Sequence, residues 1–331
     1  MATSHAMTSA AKARRRPFTS LVAWLAVGGA GALLLLCLAL PWLKTPVLLA
    51  LAFGIATAGV MVLIRAGQVS FGHAMYMCLA GYATAFAARA WKLDALWLIA
   101  GSTLAAALAG ALIGLFMVRY RGIFFGMLNL AFSMVLFAVL GKFGAVTGGT
   151  DGLRFDRPSL GFVALEREGF ELALLLLALG LSLAVGWLVQ RYFASASGQA
   201  LAAIKTNETR LEYLGISAKR VFWGGYVFSA ALCGLGGSLF ALTQGLVTPE
   251  MGFWVRSGEI VFIAILGGTG HVFGAFIGAF VFEFVKLYAA ALLTNAWQLV
   301  LGLVLIVMVF VAPTGLFGLA ERRLRGKGVA R

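Results

Sequence analysis

Few residues of this chain have the types and spacing that catalysis requires. The glycine-rich run at 267–270 lacks the lysine of a phosphate-binding loop, and no HExxH zinc motif occurs. The histidines, His5, His73 and His271, lie far apart in the sequence, and we expect no paired carboxylates at membrane depth. The sequence therefore predicts a protein that is not an enzyme, with no catalytic residue, metal or cofactor. Any energy that it uses must come from another subunit.

The polar run before the third apolar segment is the first candidate for function. It places Gln68, Ser70 and His73 beside two glycines, at the point where a helix should begin. A helix-initiating turn accounts for this run, and so does the lining of a gate or vestibule. A second candidate is the glycine cluster after 258–266, because glycine permits tight turns and close backbone approach. The predicted translocation-path residues are Gln68, Ser70, His73, Gly267, Gly268 and Gly270.

Glu283 and Lys286 are ionisable residues inside an apolar segment. Their i, i+3 spacing puts them on one helix face, where they can form an ion pair. The alternative interpretation is a pair at the membrane interface, with side chains that extend toward water.

The composition indicates the class of protein that carries these residues. Of 331 residues, 62% are apolar and 11% are charged, whereas a soluble domain carries about 25% charged residues. A transmembrane helix uses about 20 apolar residues, so the chain can supply about ten spans. A soluble fold and a disordered chain are excluded. The predicted fold class is an all-α polytopic membrane protein.

The net charge of +14 does not indicate a nucleic-acid partner. No basic stripe is interleaved with aromatic residues, and lysine and arginine also collect on one face of membrane proteins. The three cysteines lie in apolar runs without CxxC or Cys/His spacing, so we interpret them as buried apolar side chains. We expect membrane lipid, and no nucleic acid, among the partners.

Apolar segments of ordinary span length occur along most of the chain. They are 21–40, 46–64, 73–90, 95–118, 122–141, 170–190, 221–243, 271–290 and 296–313. A tenth segment, 258–266, is short, because nine helical residues rise only about 14 Å. Such a segment can cross only where its ends meet protein or a water-filled cavity, as in the broken helices of transporters. A kinked structural helix is the alternative.

The distribution of lysine and arginine favours ten crossings over nine. With ten crossings and a cytoplasmic N-terminus, most basic residues fall inside, whereas nine crossings divide them evenly. Both termini are therefore expected in the cytoplasm. The predicted organisation is a cytoplasmic tail at 1–20, one transmembrane domain at 21–318 and a basic cytoplasmic tail at 319–331.

Two connecting loops are larger than the others. Residues 142–169, expected outside, contain the glycine-rich run 147–152 and then a charged stretch. Residues 191–220, expected inside, are long enough for one or two short helices. A platform on each face of the membrane suggests a partner on each face.

Four motifs occur in the order that is typical of one family. They are Gly67-Gln-Val-Ser-Phe-Gly-His-Ala74, Thr147-Gly-Gly-Thr-Asp-Gly152, the run 198–208 with Leu214-Gly-Ile216, and Gly258-Glu with Leu266-Gly-Gly-Thr-Gly270. From about 46 to 318 the chain thereby resembles the permease subunits of bacterial branched-chain amino-acid ABC transporters, specifically the LivM-like member of the permease pair.

The resemblance implies the all-helical fold of an ABC importer in the bacterial inner membrane. It implies a second related permease, two cytoplasmic ATPases, a periplasmic binding protein and an amino-acid substrate such as leucine, isoleucine or valine. It makes 191–220 the loop that seats in the ATPase, and 142–169 falls where the binding protein would dock. The implied ATPase contacts are Ala202, Ala203, Asn207, Glu208, Arg210 and Gly215. The implied docking residues are Thr147, Gly148, Gly149, Thr150, Asp151 and Gly152.

The expected mechanism is alternating access, with cargo passing between the two permeases. Similar permeases serve importers of urea, short amides and aromatic acids, so these cargoes remain alternatives. A passive channel is another alternative, but it does not account for the large loop at 191–220. Two positions depart from the family pattern: Thr206 stands where relatives often carry a charged residue, and Gln68 stands where leucine is more common.

Overall fold

The computed structural model describes residues 25–91, 93–161, 166–292, 296–312 and 314–319. The chain divides into two compact units, residues 1–44 and 45–331. In the first unit, the described part contains helix α1, Leu25–Ala39, and the 3-10 turn Pro41–Leu43. The predicted cytoplasmic tail at 1–20, and residues 320–331 of the predicted basic tail, lie outside the described residues.

Helices make up nearly all of the second unit, and the all-α prediction is confirmed. The helices that follow α1 are α2 (Lys44–Arg65), α3 (Ala74–Trp91), α4 (Ala95–Met117), α5 (Gly122–Lys142), α6 (Gly144–Thr147), α7 (Arg167–Ala194), α8 (Ala196–Thr206), α9 (Glu208–Tyr213), α10 (Ala218–Gln244), α11 (Trp254–Gly267), α12 (Val272–Leu292) and α13 (Trp297–Val311). Two short strands, β1 (Leu153–Arg154) and β2 (Leu246–Val247), pair with each other.

The apolar segments of the sequence correspond to helices. The segment predicted at 95–118, for example, is α4, and the short segment at 258–266 lies within α11, which begins four residues earlier, at Trp254. Six helical segments of the described chain are long and apolar enough to cross a membrane: Pro41–Arg65, Ala95–Met117, Gly122–Lys142, Arg167–Ala194, Ala218–Gln244 and Val272–Leu292. The protein is therefore a multi-pass membrane protein.

Helix α10 packs against α3 and α4 through small residues. A side chain at Gly234 would meet Ala106 of α4, and one at Gly237 would meet the backbone of Met77 in α3. Apolar side chains gain little from leaving lipid for a protein interior, so close backbone approach at small residues is a main source of helix association in membranes. This glycine surface places α10 at the centre of the packed helices.

Side-chain caps separate α7, α8, α9 and α10 into distinct helices. The hydroxyl of Ser195 accepts a hydrogen bond from the amide of Gly198 at the start of α8, at 3.2 Å. Asn207 Oδ1 accepts one from the amide of Arg210 at the start of α9, at 3.0 Å. Such N-caps satisfy amides that have no partner within the helix. The predicted loop at 191–220 therefore contains two short helices, as its length suggested.

The pairing of β1 with β2 joins two connections at one end of the helices. Leu153 lies opposite Val247 and Arg154 opposite Leu246, in antiparallel register. The amide of Phe155 extends the pairing by donating to the carbonyl of Gly245 at 3.2 Å. The loop after α5 and the connection from α10 to α11 are thus held together.

Candidate functional site

The polar run between α2 and α3 forms a buried break between two helices. Gly67 has a φ of +74°, which reverses the chain at the end of α2. Gln68 is 7% exposed, and Ser70 and His73 are both fully buried. The structure therefore brings these three predicted path residues together inside the chain, in a segment at 66–73 that we call the α2–α3 break.

Hydrogen bonds attach the α2–α3 break to distant helices. Gln68 Oε1 accepts a bond from the amide of Gly122, the first residue of α5, at 2.6 Å. The amide of Ala74 donates to the hydroxyl of Ser257 in α11 at 3.0 Å. Within the break, the Ser70 hydroxyl lies 2.6 Å from His73 Nδ1. Because a buried polar group is costly without a partner, these bonds fix the path of the segment.

A chain of buried hydroxyls lies next to the break. The hydroxyl of Tyr76 donates to that of Tyr226 at 2.9 Å, and Tyr226 donates to Asn129 Oδ1 at 2.6 Å. The ring of His73 stands edge-on to both tyrosines, with centroids 5.3 and 5.2 Å away. The sequence analysis did not identify Tyr76, Asn129 or Tyr226. Their only signal was a polar group within an apolar run, and each lies on a different helix.

The glycine cluster at 267–270 forms a tight turn between α11 and α12. Gly268 has a φ of +92°, which favours glycine. A side chain at Gly267 would meet the backbone of Gly274, and one at Gly268 would meet that of Thr314. Gly270, in contrast, has open space around it. The structure thus places two of the three glycines predicted for the path, Gly267 and Gly268, in close backbone packing.

A cluster of opposite charges joins α11 to α12, with Glu259 at its centre. Glu259 is 6% exposed, and its two oxygens lie 2.9 Å from Arg256 Nη1 and 3.2 Å from Lys286 Nζ. The sequence analysis paired Lys286 with Glu283 on one helix. Helix packing adds Glu259, from 27 residues away, as an ion-pair partner of Lys286, and Glu283 Oε1 finds no hydrogen-bond partner among the described residues.

The predicted ATPase contacts divide into an inward group and an exposed group. Glu208 points back into the chain, and Ala202 and Ala203 are half-buried, whereas Arg210 and Gly215 are exposed. Asn207 is exposed too, although its side chain caps α9. Of the six residues, therefore, Glu208 is the one whose charged group forms an ion pair within the chain.

Two large apolar residues that the sequence analysis did not select project from the same segment. Tyr213, the last residue of α9, is 87% exposed, and Leu214 is 73% exposed. They follow Leu211, which is buried and anchors the short helix. Exposed apolar side chains outside a membrane span are typical of an interaction surface. We call Tyr213, Leu214 and Ile216 the apolar tip.

Arg121 links the α8–α9 segment to the turn between α4 and α5. Its Nη2 and Nε lie 2.8 and 3.1 Å from the two carboxylate oxygens of Glu208. Its Nη1 donates to the carbonyls of Val118 and Tyr120, at 2.6 and 2.9 Å. The guanidinium carbon also lies 4.5 Å from the ring centroid of Phe222 in α10. Arginine suits this position because its planar fork binds a carboxylate through two parallel bonds.

The glycine-rich run at 147–152 is a folded turn at the end of α5. Thr147 is 4% exposed, and its hydroxyl donates to the carbonyl of Leu140 at 2.6 Å. Gly148, Gly149 and Gly152 all have positive φ, and Thr150 and Asp151 are exposed at the surface. An open cleft of about 820 Å³ adjoins this turn and carries both signs of charge. Its charged lining residues are Arg89, Asp151, Arg154 and Asp156.

Comparison with known proteins decides the family. The profile of the family described as branched-chain amino acid transport system / permease component matches residues 45–310. The chain belongs to this family. No solved structure matches the chain.

Curated relatives of this permease carry transport names. The high-affinity branched-chain amino acid transport system permease protein LivM of Escherichia coli is 28% identical over 253 residues, 69% of this chain and 58% of the relative. The E. coli protein LivH of the same system is 31% identical over 129 residues, 38% of this chain and 41% of the relative. The autoinducer 2 import system permease protein LsrC of Klebsiella pneumoniae is 30% identical over 212 residues, 60% of this chain and 58% of the relative. The chain therefore spans less than two thirds of the length of these relatives.

Proposed function

We propose that this permease is the membrane-spanning subunit of an ATP-driven importer in the bacterial inner membrane. It works with a second permease, two cytoplasmic ATPases and a periplasmic binding protein, and it has no ATPase site of its own. The observation that carries this proposal is the α8–α9 segment. It forms a separate two-helix unit between the long helices α7 and α10 and ends in the exposed apolar tip.

Burial of the apolar tip against a protein partner is more favourable than its exposure to water. Burial of apolar surface stabilises an interface by about 25 cal/mol per Å², and Tyr213 and Leu214 are largely exposed in the single chain. Arg210 and Asn207 flank the tip as exposed polar residues, the arrangement of a polar rim around an apolar centre. We assign this surface to the ATPase subunit, which places the α8–α9 segment on the cytoplasmic side.

The opposite end of α10 leads to the proposed docking face for the binding protein. The turn at 147–152 and strand β1 lie there, and β1 pairs with β2 directly after α10. The adjoining cleft offers arginine and aspartate side chains to a polar partner. A face held rigid by backbone pairing orders few residues on docking, which lowers the entropic cost of association.

We infer branched-chain amino acids as the cargo, moved by alternating access. The names of LivM and LivH support this cargo. The name of LsrC, in contrast, gives a different solute for a relative with a similar percentage of identical residues. Selection can therefore reside in the binding protein. A permease that binds cargo weakly releases it readily, because uniform tight binding does not speed a transfer step.

Uptake of labelled leucine by cells that lack the gene, with and without the gene restored, tests the proposal. We expect uptake to return with the gene, to be inhibited by excess valine but not by urea or benzoate, and to stop when cellular ATP is depleted. Gene-dependent uptake of urea or benzoate alone would refute the amino-acid cargo and keep the importer. Gene-dependent flux that continues without ATP, and only down a gradient, would refute the importer in favour of a channel.

A further inference from the structure

The Arg121–Glu208 ion pair lies at a junction of three parts of the chain. Glu208 opens α9, Arg121 precedes α5, and the next residue, Gly122, donates its amide to Gln68 in the α2–α3 break. An unbroken series of close contacts therefore runs from the α8–α9 segment to the break. Both side chains are partly shielded, with 24% and 33% of their surfaces exposed.

A second contact joins the same two parts independently. A side chain at Gly67 would come within 2.9 Å of Lys205 Cγ, so the aliphatic stem of Lys205 packs on the backbone of Gly67. Lys205 belongs to α8 and Gly67 to the break. The two short helices thus hold the break at two points, one through each helix.

Arg121 is held on several sides at once, so a movement of Glu208 is passed on to the residues around Arg121. Each of its three nitrogens has a hydrogen-bond acceptor, and its guanidinium packs over Phe222. A side chain held by Glu208 on one side and by the carbonyls of Val118 and Tyr120 on the other has few alternative positions. Movement of Glu208 must therefore move the α4–α5 turn or break the ion pair.

We infer that Arg121 is a positioning residue that transmits movement of the α8–α9 segment to the α2–α3 break, and that Glu208 serves this contact inside the chain instead of binding the ATPase. The inference rests on the proposed function, since it assigns a route to the coupling of ATP hydrolysis with transport. It moves Glu208 from the docking surface to the interior route. The apolar tip and Arg210 remain as the docking surface.

Charge reversal in the reconstituted complex tests the inference. The variants are Arg121→Glu, Glu208→Arg and the double reversal, in vesicles with the second permease, the ATPases and the binding protein. The measurement is the number of leucine molecules transported per ATP hydrolysed. We expect each single reversal to lower this ratio about tenfold or more while the subunits still co-purify and hydrolyse ATP. The double reversal should restore the ratio only in part, because a glutamate at position 121 can pair with an arginine at position 208 but cannot donate to the carbonyls of Val118 and Tyr120.

Two further variants separate transmission from a general effect of charge. Arg121→Lys keeps the charge but loses the two-pronged contact, and we expect it to lower the ratio as well. Glu212→Arg reverses an exposed charge on the same short helix outside the ion pair, and we expect it to leave the ratio unchanged. Single reversals that leave the ratio unchanged, or a double reversal that transports no better than either single one, would overturn the inference. Failure of the unsubstituted complex to transport leucine would instead count against the proposed function.

Discussion

At the scale of residues, some polar groups of the interior bond to one another across helices. Tyr76, Tyr226 and Asn129 satisfy one another, and Ser70 satisfies His73 on one side. Such sets lower the cost of placing hydroxyl and amide groups among apolar side chains. They also specify how the three helices meet, because each bond requires one register.

Tyr226→Phe tests whether this set stabilises the fold. The variant removes the acceptor of Tyr76 and the donor of Asn129 without changing shape, and two buried polar groups then lack partners. We expect a loss of about 1–3 kcal/mol in the free energy of unfolding. The measurement is thermal unfolding of the purified permease in detergent.

Tyr213→Phe is the matched control, because that hydroxyl belongs to a side chain that is 87% exposed. We expect it to leave the unfolding temperature of the single chain unchanged. Equal effects of the two substitutions would show that the buried set contributes nothing specific.

The residues that sequence reasoning missed share one physical cause. Glu208 meets Arg121 across 87 residues, and Lys286 meets Glu259 across 27, so no local spacing could indicate either pair. Gln68, Ser70 and His73 could be selected from the sequence because they are polar residues close together in an apolar context. Their bonds to Gly122 and Ser257 depend on how helices pack, which a single sequence does not contain.

At the scale of elements, the close contact between helices α11 and α12 depends on glycine. A side chain at Gly278 would meet the carbonyl of Ile263 and the backbone of Gly267. The two helices are therefore in backbone contact, and the turn at Gly268 closes one end. The bounds of the long helices were predictable because apolar runs determine them. The bounds of α11 were not, since its first turn includes the polar residues Arg256 and Ser257.

Gly278→Ala tests this close approach. The added methyl group must push α11 away from α12, and we expect a loss of about 1–3 kcal/mol in stability, typical of an overpacked core. The measurement is again the unfolding temperature, together with the yield of folded protein from membranes.

Gly302→Ala supplies the comparison, because a side chain there would meet nothing within 4 Å. Alanine is the better helix former by about 1 kcal/mol, so this variant should be neutral or slightly stabilising. A Gly278→Ala protein as stable as Gly302→Ala would show that the two helices can separate without cost.

At the scale of the whole molecule, the exposed residues allow a direct test of which parts face which side of the membrane. The proposed topology puts the α8–α9 segment and both termini in the cytoplasm and the loop with β1 outside. The cysteines assist a direct test, since Cys37, Cys78 and Cys233 are all buried. The natural chain therefore offers little background to a water-soluble thiol reagent.

Single cysteines introduced at Glu212, Asp156 and Lys327 should report the topology. Glu212 and Asp156 are exposed, and Lys327 lies outside the described residues. With a membrane-impermeant maleimide, we expect Asp156→Cys to react in intact spheroplasts, and Glu212→Cys and Lys327→Cys to react only after permeabilisation. Reaction of Lys327→Cys in intact spheroplasts would return the number of crossings to nine.

The length of α10 has a consequence for how binding at one end of the helix affects binding at the other. The helix contains 27 residues, so it is a rod of about 40 Å. Ser217 caps it at one end, beside the α8–α9 segment, and β2 follows the other end after Gly245. If partners bind at both ends of such a helix, their binding is thermodynamically linked: each partner changes the affinity of the other by the same factor. In the proposed importer, a docked binding protein that favours one position of α10 must therefore tighten nucleotide binding by the ATPases if ATP favours the same position, and weaken it if ATP favours the other.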